Sequence, residues 1–170
     1  MNDELQSLRL QVEQLGAENA IRSLKARYWR AIDRHDLATV RECLLPNALI
    51  DMEGVGAMQA EEFIAFVQEN GCNENLLNLH TGQNPLIKLE STDRAVGEWD
   101  ALFTSINMAT RETILMSGNY QDRYQKQDNE WRIAAMTFRQ TSFLMQQYND
   151  KGEPKAISLG RGNEDAFGRQ

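Results

Sequence analysis

An α+β domain, with three helices laid on one face of a curved sheet, is what this sequence predicts, and three observations predict it. Apolar residues recur at helical spacing as far as the Asn70-Gly71 stop and at two-residue spacing from Leu76 onward. Polar connectors of hairpin length, Ser91 to Arg94 and Gln127 to Glu130, separate the later runs, so most strand pairings should be antiparallel. With 170 residues, 41% of them hydrophobic, there is material for one well-buried core. A single domain over 17–148 is therefore expected between an N-terminal helical arm, 1–16, and a C-terminal tail, 149–170.

Leu5, Leu8, Val12 and Leu15 are spaced three, four and three apart, an apolar seam on an otherwise polar helix. Such an arm lies on its own domain or on a neighbouring copy. Gly16 marks a joint, after which Ile21, Leu24, Tyr28, Ala31 and Ile32 give a core-facing helical stripe ending near Asp33. A carboxylate at a helix C-terminus is disfavoured by the helix dipole, so Asp33 needs a reason to be there. Asp36 is placed to cap a short helix, Leu37 to Leu45, which Pro46 and Asn47 stop. A brief strand follows over Ala48 to Met52, then a third helix from Ala60 to Asn70. The alternating region divides into strands at Leu76 to Thr81, Leu86 to Glu90, Ala95 to Ile106, Glu112 to Lys126 and Trp131 to Phe143. The tail after Tyr148, rich in glycine and charge, is either loose or laid on a partner.

Charge and composition remove several functions. A net charge of -7 with scattered basic residues does not make a phosphate-tracking surface, so nucleic acid is not an expected partner. The opening residues lack the basic start and apolar run of a secretory signal, and no stretch approaches the ~18 apolar residues of a membrane span. A cytoplasmic protein that does not engage membranes is expected. Cys43 and Cys72 have no metal or redox spacing and read as free thiols. His35 reads as a solvated turn residue, and no HxH or HExxH pattern supports a metal site.

Chemistry concentrates in Tyr28 to Asp36 and at His80, in a chain with two histidines. A buried carboxylate accepting from one imidazole nitrogen fixes the tautomer of the ring and frees the other nitrogen as a general base. Asp33 and His80 are candidates for that pair. Alternation along the last strand puts Arg139 on the face of Trp131, Ile133, Ala135 and Thr137, which reads as the inner face unless the strand end reaches solvent. Tyr28 either packs in the core or offers its hydroxyl to a substrate oxygen, and Tyr120 is a weaker candidate of the same kind.

A helix ending in Tyr28-Trp29-Arg30 and Asp33, a short helix leading to Pro46-Asn47, His80 followed by Gly82 and Pro85, and a Trp131-x-Ile133 strand running to Arg139 together resemble the SnoaL-like branch of the nuclear-transport-factor-2-like superfamily. The resemblance implies a cone: a bent, mixed but mostly antiparallel sheet wrapped on three N-terminal helices, with a deep apolar pocket. It also implies a homo-oligomer, trimer or dimer, and a lyase that needs no cofactor. On this resemblance Asp33, His80, Tyr28 and Arg139 are catalytic; Trp29, Tyr120 and Met52 are this chain's own further candidates to line the site of a small hydrophobic substrate. Dehydration of a cyclic or aromatic hydroxy compound is the first expectation; formaldehyde-releasing retro-aldol cleavage and isomerisation are alternatives. The fold is also reused for ligand-binding and structural subunits, in which the pair would do no chemistry.

Overall fold

A computed structural model describes residues 2–160. The first helix, α1 (Asn2–Asp33), is followed by α2 (Leu37–Cys43), β1 (Leu44–Met52), β2 (Gly56–Gln59), α3 (Ala60–Gly71), β3 (Leu76–Leu89), β4 (Arg94–Asn107), β5 (Glu112–Gln127), β6 (Glu130–Tyr148) and β7 (Pro154–Gly160). The strands form one open sheet in the order β2-β1-β6-β5-β4-β3, with β7 also pairing with β6. Among the described residues only β1 and β6 run parallel; every other pairing there is antiparallel. The core lies between the helices and the inner sheet face, from Ile21 and Leu24 across to Ile133 and Met136. Among the described residues, no helix is long and apolar enough to cross a membrane.

Local signals set most boundaries. Asp36 caps α2 as its sequence position predicts, accepting from the Thr39 amide at 3.1 Å and the Thr39 hydroxyl at 2.7 Å. At α3 the Glu62 carboxylate reaches back to the Gln59 amide at 2.8 Å. Asp128 and Asn129 both take left-handed φ, the backbone a two-residue hairpin between β5 and β6 requires.

Four expectations are corrected. Gly16 is no joint: α1 continues through it as one helix. The second helix stops at Cys43, and β1 begins at Leu44, with Pro46 and Asn47 inside an irregular stretch of its ladder with β6. The two strands expected over Leu76–Thr81 and Leu86–Glu90 are one, because a register shift between Gln83 and Leu86, with Asn84 in the left-handed region, absorbs the Gly82 to Pro85 segment. The last strand extends past Phe143 to Tyr148, and residues 154–160 of the expected tail add β7 to it. The remainder of that tail, 161–170, lies outside the described residues.

Candidate active site

Asp33 ends α1 and His80 lies near the middle of β3, so the packing of that helix against that strand brings them together. The carboxylate accepts twice from His80, from the backbone amide at 2.9 Å through Oδ2 and from ring Nδ1 at 2.6 Å through Oδ1. Both side chains are nearly enclosed, 11% exposed for Asp33 and 13% for His80. The two donors supply the local positive field that a helix C-terminus denies an acid. A carboxylate on Nδ1 selects the Nδ1–H tautomer of the neutral ring, which leaves Nε2 as an acceptor.

Register then shows what surrounds the pair. His80 is opposite Phe103, Phe103 opposite Met116, and Met116 opposite Phe143, a cross-strand row on the inner face. The Phe103 ring centroid is 4.6 Å from that of the imidazole. One row deeper the residues are Gly82, Ala101 and Gly118, and this smallness has a cause. A Cβ at Gly82 would fall 1.9 Å from the Trp29 ring, and one at Gly118 would fall 2.4 Å from that of Phe138. The glycines make room for the aromatic floor beneath. Gly82→Ala is therefore expected to displace the Trp29 indole and destabilise the fold by about 1–3 kcal/mol, read from urea denaturation and tryptophan fluorescence.

Trp29 meets Trp99 edge-on at 5.4 Å and Tyr120 at 5.8 Å, and Tyr120 packs on Phe138 at 4.7 Å. Met52, at the end of β1, is in register with Phe138 and packs against the same core. Tyr28 is buried; burial above all, then the neighbouring Tyr120 and Asp122, pushes its phenol well above the ordinary value, so the hydroxyl keeps its proton. Four described clefts, of about 440 to 710 Å³, are lined by other residues than Asp33 and His80.

Arg139 is not part of this cluster. An extra residue at Ala134 interrupts the β5 ladder between Ile133 and Ala135, which reverses the faces of β6. Trp131 and Ile133 are buried before it, and Met136 and Phe138 after it, so Arg139 points outward and pairs with Asp51. Half-exposed ion pairs contribute little, so Arg139→Ala should shift stability by no more than ~1 kcal/mol in a denaturation experiment. His35 lies in a turn as expected, at φ 59°, but is only partly solvated, its Nε2 being buried without a hydrogen-bond partner among the described residues.

Sequence reasoning missed the most polar feature of the interior. Lys25, fully buried, places Nζ 2.7 Å from Asp122 Oδ2 and donates to Met136 Sδ at 3.3 Å. The same nitrogen lies 4.1 Å from the Tyr120 ring centroid and 4.9 Å from that of Trp29. Asp122 Oδ2 also accepts from the Tyr124 hydroxyl at 2.6 Å, and that hydroxyl accepts from Trp99 Nε1 at 2.9 Å. Desolvation lowers the Lys25 pKa, against the opposing pull of Asp122. The signal was present in β5, where alternation puts Asp122 on the inner face between Tyr120 and Tyr124 and so demands a buried cation. Asn78, on the His80 face of β3, has a buried Oδ1 with no partner among the described residues.

An open, mostly antiparallel sheet with three helices against its inner face is the fold class, and the SnoaL-like domain matches residues 13–137 of it. The chain belongs to that family. Among solved structures, a hexachlorocyclohexane dehydrochlorinase, LinA type 2, is 19% identical with a TM-score of 0.71, the match covering 86% of this chain and 94% of that one. A scytalone dehydratase candidate from Novosphingobium aromaticivorans DSM 12444 is 17% identical with a TM-score of 0.72, covering 90% and 99%. A single-residue variant of Rv3472, a Mycobacterium tuberculosis protein of unknown function, is 25% identical with a TM-score of 0.66, covering 75% and 73%.

Proposed function

We propose that this protein is a cofactor-independent lyase that removes a proton from carbon in a small hydrophobic cyclic or aromatic hydroxy compound. The observation that carries the proposal is the double acceptance by Asp33 from His80, which holds one ring nitrogen and leaves Nε2 for the substrate. His80 Nε2 takes the proton next to a carbonyl, and the electron pair left on carbon forms the double bond as the β-hydroxyl departs. The imidazolium returns its proton to that hydroxyl, and water leaves. Tyr28, still protonated, supplies a hydroxyl donor for the substrate oxygen, and Phe103, Met116 and Phe143 provide the apolar wall. Trp29, Tyr120 and Met52 shape the floor. Arg139, outward and paired with Asp51, has no part in this scheme. The dehydrochlorinase and scytalone dehydratase names of similar structures are in keeping with elimination. Retro-aldol release of formaldehyde and isomerisation use the same base.

Copies of the chain are proposed to associate through the outer sheet face. Leu79, Thr104, Leu115, Leu144 and Leu159 form one cross-strand row from β3 to β7, and Leu79, Leu115 and Leu159 are exposed.

A second reading is a non-catalytic ligand-binding or structural subunit, in which Asp33 and His80 would be a structural pair; the packing of Tyr120 on Trp29 and Phe138 beneath them favours its structural form. A panel of β-hydroxy-carbonyl steroids and hydroxylated lignin-type dimers, followed by mass spectrometry, separates the two. Loss of water from at least one substrate is expected; loss of formaldehyde would identify the retro-aldol branch. Binding without turnover across the panel would favour the second reading.

A further inference from the structure

The first four turns of α1 are a bare helix with two apolar sides. Leu5, Leu8, Val12 and Leu15 are each 56 to 65% exposed. At about 100° per residue, the mean direction of this seam lies about 160° around the helix from that of Ile21, Leu24, Tyr28 and Ala31, the stripe packed in the core. The seam therefore faces away from its own domain. Leu10 is on the other side: with Gln14 and Ala17 it borders an open cleft of about 690 Å³ whose far wall is Leu89 to Thr92 and Trp131. An uncovered helical segment of this length is marginal in water without a packing partner.

We infer that this seam pairs with the same seam of a second copy, in parallel and in register. Charge chooses the occupant and its direction. With Leu5 and Val12 at heptad position a and Leu8 and Leu15 at d, Glu4 falls at g and Arg9 at the following e. A parallel pair therefore brings Glu4 of each chain to Arg9 of the other. An antiparallel pair would instead set Arg9 against Arg9 and Glu4 against Glu18. The flanks of the seam are thus complementary to themselves in one direction only. This contact is separate from the sheet-face association proposed above, and two heptads alone make it a contributor rather than the sole contact.

The test is cysteine cross-linking of the full chain in a Cys72→Ser background, Cys43 being buried. Under mild oxidation Leu8→Cys is expected to form a disulfide-linked species of twice the chain mass, while Leu10→Cys, on the domain side, remains single. Equal cross-linking of both variants, or of neither, overturns the inference. A mixture of Leu8→Cys and Val12→Cys chains that links when Leu8→Cys alone does not would overturn the parallel arrangement. Because the readout is geometric, it is independent of whether the lyase reading holds.

Discussion

Replacing His80 by glutamine is expected to lower kcat by about 10²- to 10⁴-fold, the usual contribution of a positioned general base, with KM little changed. The glutamine amide can still donate to Asp33, so the end of α1 keeps its contact with β3 and the loss reads chemistry rather than unfolding. Asp33→Asn should give a loss of similar order for a different reason. An asparagine can turn its amide toward Nδ1, which favours the opposite tautomer and puts the ring proton on Nε2, where it blocks proton abstraction. Together the variants separate the base from the group that orients it. Both are assayed on whichever compound the panel shows to lose water. Unchanged turnover in His80→Gln would remove the base from the scheme.

The largest effect on stability is expected at Lys25. Lys25→Met leaves the buried Asp122 carboxylate without its cation, and breaking one half of a buried pair costs about 3–5 kcal/mol. Asp122→Asn should cost less than this, since Tyr124 can still donate to the amide oxygen. The double variant Lys25→Met/Asp122→Asn is expected to recover much of the loss, because no buried charge remains. A double-mutant cycle from urea denaturation measures the coupling directly. Additive single-variant losses would mean that the two side chains act independently. The aromatic floor should respond as well, since Lys25 lies against Trp29 and Tyr120, and tryptophan fluorescence reports it.

How far the sequence could be read follows from which features are periodic. The Ile21 to Ile32 stripe, the Asp36 cap and the alternation of β4 and β5 each express one regular geometry, and each is legible. The meeting of Asp33 with His80 was reachable because an acid at a helix C-terminus needs a reason, an imidazole nitrogen supplies one, and the SnoaL-like resemblance points to the same two residues; the second donor, the His80 backbone amide, was not legible. Irregularities defeated the same rules. One extra residue at Ala134 reversed the inner and outer faces of β6 and turned Arg139 outward, and a bulge leaves no mark in a run of small residues. Gly16 has no neighbour for a side chain to meet, and a lone glycine costs a helix only about 1 kcal/mol, so helical neighbours carry α1 through it. Lys25 was hidden for another reason: at the margin of an apolar stripe a lysine ordinarily reaches solvent, and only Asp122, nearly a hundred residues later, gives it a reason to stay inside.

Which nitrogen of His80 is free can be measured without knowing the substrate. Long-range ¹H–¹⁵N correlation spectra of ¹⁵N-histidine-labelled protein at mildly alkaline pH, assigned with His35→Gln, report the tautomer of the His80 ring. A protonated Nδ1 and an unprotonated Nε2 are expected in the wild type, with that preference lost in Asp33→Asn. An Nε2–H tautomer in the wild type would contradict this.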